Sequence, residues 1–144
     1  MNLLLGFATM IVCLIVQSLL IVFVARYHIR YAKRLDQSRF ATTLLVISGV
    51  MSMLVVGNLV QAGIWASLFV WLGEFADFHE AFYHSAVNFA TLGYGDIVMS
   101  DEHKMLGPLE AINGVLMIGA STAILMASIQ DVVVRRSSGN DPKS

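Results

Sequence analysis

The sequence predicts an all-α membrane protein with three spanning helices and one shorter helix that enters the bilayer and turns back. Two observations carry that prediction. Of 144 residues, 57% are hydrophobic and only 13% charged, with a mean hydropathy of +0.73, far more apolar than a soluble domain. The apolar residues also fall into three long runs, and a helix-like segment between the second and third is too short to cross.

The first run, Leu3 to Ala25, holds 23 residues and no charge, about 34 Å of helix against a hydrocarbon core of about 30 Å. No basic residue precedes it and it exceeds the core of a secretory leader, so a retained span is expected. The single Cys13 lies inside this run, which excludes an intrachain disulfide and places Cys13 on a lipid-facing or packing surface. Arg26, Arg30, Lys33, Arg34 and Arg39 follow, with Tyr27, Tyr31 and Leu35 recurring every four residues among them. A helix lying along the membrane surface and a solvated basic loop both fit that pattern.

The second run extends from Ala41 to Trp71, longer than one crossing needs, so it tilts or projects. Its strongly polar interruptions, Asn58 and Gln61, are expected to bond between helices, and Gly49, Gly57, Ala62 and Gly63 allow a neighbour to approach closely. The third run, Leu106 to Val134, opens with Pro108 near its first turn, where a missing N–H is harmless. The chain therefore divides into an N-terminal helix with its basic link (1–41), a two-helix unit with the short helix between (42–134), and a polar tail (135–144). That tail contains Gly139 and Pro142 and is expected to be disordered.

Charge is sorted along the chain. Basic residues crowd the first link, and Arg135 and Arg136 follow the third run. The second link holds Glu74, Asp77, Glu80, Asp96, Asp101 and Glu102 against Lys104. The positive-inside rule then places the N terminus outside and the C terminus in the cytoplasm, in a multi-pass protein of the cell (inner) membrane. The first run lacks the arginine ladder of a voltage sensor.

Within the second link, Asp77 can cap a helix, and Glu80 completes a capping-box spacing. A helix from Phe78 to Ala90 is about 20 Å long and stops near the bilayer middle. The return, Thr91 to Asp96, is tolerated at that depth only if protein buries it or it lines an aqueous path. Gly93 and Gly95 can adopt left-handed conformations that turn successive carbonyls the same way, and Thr91 adds a hydroxyl oxygen. The C-terminal end of the short helix favours cations beyond it. His79 and His84 are five apart, roughly 140° around a helix, so they cannot share a zinc ion from one face. With His103, they are expected as surface or packing residues.

Thr91-Leu92-Gly93-Tyr94-Gly95-Asp96 resembles the filter of potassium channels. Together with Ala81-Phe82-Tyr83-His84-Ser85 before it and Gly107-Pro108-Leu109-Glu110 after it, the likeness is to bacterial pore-only channels. It covers about half of the chain, from Phe78 through the third run. The resemblance implies a homotetramer in the lipid bilayer that conducts K+ passively, with no catalysis, no cofactor beyond the permeant ion and no nucleic-acid partner. It implies K+ coordination by the carbonyls of Thr91, Leu92, Gly93 and Tyr94 in a filter completed by Gly95. Filter support is implied from Asp96 and Tyr83, with Tyr83 positioned to bond Asp96; Glu110, near the positive start of the third helix, is expected to brace the filter from behind. Gly119 and Gly114 are candidate hinges for an inner-helix gate, and both also suit helix packing. Leu92 stands where a β-branched valine is usual, Ala90 where threonine is commoner, and the first span is extra. A weakly selective cation channel and a non-conducting accessory subunit are therefore the alternatives.

Overall fold

The computed structural model describes residues 2–35 and 40–138, without the side chains of 32–35, 40, 42 and 135–138. The side chains of Lys33, Arg34, Arg39, Arg135 and Arg136, and the polar tail with Gly139 and Pro142, lie outside the described residues. Among the described residues all regular structure is helical: α1 (Asn2–Leu35), α2 (Phe40–Trp71), α3 (Phe78–Phe89) and α4 (Leu106–Ser138). Stretches of α1, α2 and α4 are long and apolar enough to cross a membrane: Asn2–Tyr31, Thr43–Trp71 and Leu106–Val134. The protein is an all-α membrane protein.

As far as Leu35, the basic segment after the first apolar run is neither a separate surface helix nor a loop. It continues α1 to 34 residues, about 51 Å, well beyond the apolar core. No glycine or proline interrupts it, and Tyr27 and Tyr31, with rings 4.7 Å apart, pack against Val46 of α2 and Val132 of α4. Aromatic burial thus extends the helix where charge alone would have solvated it.

Helix α1 packs on α2 and α4, and α3 packs on the same two helices. Residues near the start of α1 meet the start of α4: Asn2 Nδ2 donates to the Glu102 carbonyl at 2.8 Å, and Gly6 lies against Leu106 and Leu109. At the other end His28 Nε2 donates to Asp131 Oδ2 at 2.9 Å. The helices α1 and α4 therefore run in the same direction, with α2 antiparallel to both. Small residues set the α1–α2 spacing. A Cβ on Gly49 would meet the Tyr27 hydroxyl at 2.5 Å, and one on Gly57 would overlap Leu20. Gly63 instead faces Phe82 of α3. The core gathers Trp65, Phe69, Phe75, Ala81, Phe89, Leu106 and Met117 around fully buried Cys13.

Asn58 and Gln61 bond between helices as their sequence positions suggest, Asn58 to α4 and Gln61 to a residue of the first span. Gln61 Nε2 donates to Gln17 Oε1 at 2.8 Å, and Gln17 Nε2 reaches Ser121 Oγ at 3.2 Å and the Met117 carbonyl at 3.3 Å. Ser121 Oγ in turn donates to Asn58 Oδ1 at 3.3 Å. Gln17→Leu removes the α1 member of this chain and leaves the buried Gln61 amide with only a long 3.4 Å bond to the Gly57 carbonyl of its own helix. The expected loss is about 1 kcal/mol, since hydrogen bonds between membrane helices average somewhat less than that and leaving a partner weakly paired adds to it. It would be read as unfolding at lower dodecyl sulfate fraction in mixed micelles.

Candidate functional site

The site is the turn between α3 and α4, and the caps of α3 position it; the chain enters α3 from a cap on α2. At the end of α2, Gly73 N–H bonds the Val70 carbonyl at 3.0 Å and Glu74 N–H bonds the Phe69 carbonyl at 3.0 Å, with Gly73 at φ +77°. This is a Schellman cap with glycine at its left-handed position. Asp77 then starts α3, its Oδ2 accepting from His79 N–H at 3.1 Å. The capping box is one-sided: Glu80 is exposed, left to water, and makes no return bond to Asp77.

The same cap closes α3, with a different residue at its left-handed position. Thr91 N–H bonds the Asn88 carbonyl at 2.8 Å and Leu92 N–H bonds the Val87 carbonyl at 2.9 Å, while Thr91 sits at φ +59°. A β-branched residue there is an outlier that costs about 1–2 kcal/mol. Gly93 and Gly95 follow at φ +57° and +74°, with negative φ at Leu92 and Tyr94 between them. Positive φ thus recurs at every second residue from 91 to 95. Sequence reasoning anticipated the two glycines and missed Thr91.

The helix behind the turn is held on both flanks. Ser85 Oγ is fully buried, donates to the Ala62 carbonyl of α2 at 2.8 Å and contacts Glu110 Oε1 of α4. Glu110 is itself fully buried, so it meets α3 rather than the strand 91–96. His84 packs its ring on Phe69 and Phe75, accepts from Asn88 Nδ2 through Nε2 at 2.8 Å, and donates from Nδ1 to the Ile97 carbonyl at 3.0 Å. That pairing fixes a neutral ring with its proton on Nδ1. The chain leaving the turn is thus pinned to α3 by a residue expected only to pack.

At the end of the turn, Tyr83 Oη donates to Asp96 Oδ2 at 2.7 Å, which holds the Asp96 carboxyl below its usual range. The structure brings these two residues together as the resemblance implies. Further out, Glu74 Oε2 accepts from Ser100 N–H at 2.7 Å, and its Oε1 accepts from Ser100 Oγ and from His103 Nδ1, each at 2.5 Å. Burial works against this carboxylate, but the Ser100 and His103 bonds outweigh it and keep Glu74 below its ordinary 4.5. A depressed carboxyl contributes its stability in full above the unfolded pKa and loses it as pH falls through the folded value. Acidification below about pH 4.5 should therefore release the Ser100 segment from α2. Faster hydrogen exchange at the Ser100 amide would register it, and Glu74→Gln should exchange fast already at neutral pH.

Gly114 and Gly119 both lie inside the unbroken α4. A Cβ on Gly114 would run into the Phe89 carbonyl at the end of α3, whereas nothing lies within 4 Å of one on Gly119. Thr91 to Asp96 are exposed, including the large side chains of Leu92 (55%) and Tyr94 (65%).

No curated protein and no solved structure matches the chain. A family model described as "Ion channel" matches residues 59–131, from within α2 through α3 and the turn to most of α4, leaving α1 outside. That match covers just over half of the chain and contains every residue of the site, so the protein belongs to the ion channel family.

Proposed function

We propose that the chain is one subunit of a potassium-selective channel, in which four copies close their 91–95 strands around a common axis. The observation that carries this reading is the alternation of φ at Thr91, Gly93 and Gly95 at the end of a half-length helix. A dehydrated monovalent cation needs a cage of oxygens, and carbonyls turned to one side supply them without full charge. One strand supplies only one side of such a cage. The exposed Leu92 and Tyr94 support assembly, because neighbouring copies would cover them.

On this reading the carbonyls of Thr91, Leu92, Gly93 and Tyr94 hold K+, and Gly95 completes the turn. Asp96, oriented by Tyr83, forms an acidic ring at the mouth, and Glu110 supports the filter through Ser85 and α3. The acidic second link faces outside and the basic end of α1 faces the cytoplasm, which puts the N terminus outside. The pore unit spans 42–134, α1 is an addition to it, and a bend of α4 at Gly119 or Gly114 opens the inner end.

Flux from proteoliposomes tests the reading. Passage of K+ without Na+ supports it. Equal passage of both ions would make the protein a weakly selective cation channel, an outcome Leu92 would explain. Passage of neither would make it an accessory subunit.

A further inference from the structure

Helices α1 and α2 leave an open groove of about 740 Å³ on the surface of the bundle. It begins at Val16 and Val60 and runs past Leu19, Phe23 and Val56 to Arg26. Its walls are apolar and largely exposed: Leu19 66%, Phe23 61% and Val56 58%. Its polar side chains are confined to Arg26 and Ser52.

The groove's length and the position of its charge identify an occupant. From Val16 to Arg26 α1 rises about 15 Å, half of a hydrocarbon core of about 30 Å. The groove therefore covers one leaflet, from the middle of the membrane to one interface. A further spanning helix would need the whole thickness, whereas an acyl chain fits half. The cation stands at the interfacial end, where a lipid headgroup lies. Arg30 is one turn beyond Arg26 and is likewise exposed, so two guanidiniums share that edge. Among the described residues no carboxylate forms a salt bridge with either arginine. The acid of α4 at that end, Asp131, is bonded to His28. In a second copy of this chain the carboxylate at that end is already engaged by His28, while a phosphodiester matches the guanidinium fork.

We propose that this groove binds one anionic phospholipid, with an acyl chain along α1 and α2 and its phosphate on Arg26 and Arg30. The site depends on the packing of α1 against α2 and not on the potassium reading. It makes the extra helix a lipid-binding element.

The test is native mass spectrometry of detergent-purified protein titrated with phosphatidylglycerol or phosphatidylcholine. Two interfacial arginines favour the anionic lipid by more than about tenfold, and one tightly held phosphatidylglycerol per chain is expected. Arg26→Gln with Arg30→Gln should lower its affinity to that of phosphatidylcholine. Val56→Trp, which fills the groove and keeps both arginines, should remove the tightly held lipid. Should that variant not fold, Leu19→Trp fills the groove from the opposite wall. Equal affinity for the two lipids, or retention of phosphatidylglycerol by either class of folded variant, overturns the proposal. Ion flux is not part of the readout, so a failed potassium assignment leaves this result interpretable.

Discussion

Gly93→Ala is expected to abolish discrimination between K+ and Na+ while leaving the helices folded. Gly93 sits at φ +57°, where an L-residue costs about 1–2 kcal/mol, and nothing lies within 4 Å of the added Cβ. The effect is therefore conformational rather than a clash. The backbone escapes the cost by returning to negative φ, which, on the proposed reading, rotates one carbonyl out of its row and opens the oxygen cage. Gly73→Ala is the internal control. Gly73 has the same kind of backbone, φ +77° with open space around it, but it caps α2 away from the turn. That variant should lose about 1 kcal/mol of stability and keep its selectivity. Flux of both ions through each variant in proteoliposomes separates the two. A Gly93→Ala protein that still excludes Na+ would sink the filter assignment.

Much of this fold could be read from the sequence because its strongest signals are local. Three apolar runs gave three spans, and Asp77 marked the start of α3 at the residue where the structure begins it. The end of α3 falls at Phe89, one residue before the expected Ala90, because the left-handed Thr91 closes the helix. Nothing in local preference points to Thr91, since β-branched residues avoid that conformation; only its neighbours in the cap and the strand impose it. The ties between elements were illegible for another reason. Gln17 bonds Gln61 and Ser121, and Glu74 bonds Ser100 and His103, across separations of 26 to 104 residues. A lone glutamine in an apolar run looks merely tolerated until its partners are brought beside it. The Tyr83–Asp96 bond became visible early only through resemblance to a known filter.

Gly114→Ala is expected to be the most destabilising small change in α4, and Gly119→Ala, five residues on, should be harmless to the fold. The added Cβ at Gly114 meets the backbone carbonyl of Phe89, which cannot swing aside as a side chain can. Relief requires α3 and α4 to separate at the point where α3 hands over to the 91–95 strand. Overpacking of this kind costs about 1–3 kcal/mol, more than the roughly 0.8–1 kcal/mol that alanine gains over glycine inside a helix. Gly119 has only the second term, so its alanine variant should be as stable as the parent or slightly more so. Unfolding in mixed micelles ranks the two, and a Gly114→Ala protein as stable as the parent would refute the close α3–α4 approach. The same pair distinguishes packing from hinge motion. Loss of selectivity together with stability in Gly114→Ala follows from displacement of α3. A change in open probability in a Gly119→Ala channel of undiminished stability has no packing explanation and would assign the bend of α4 to Gly119.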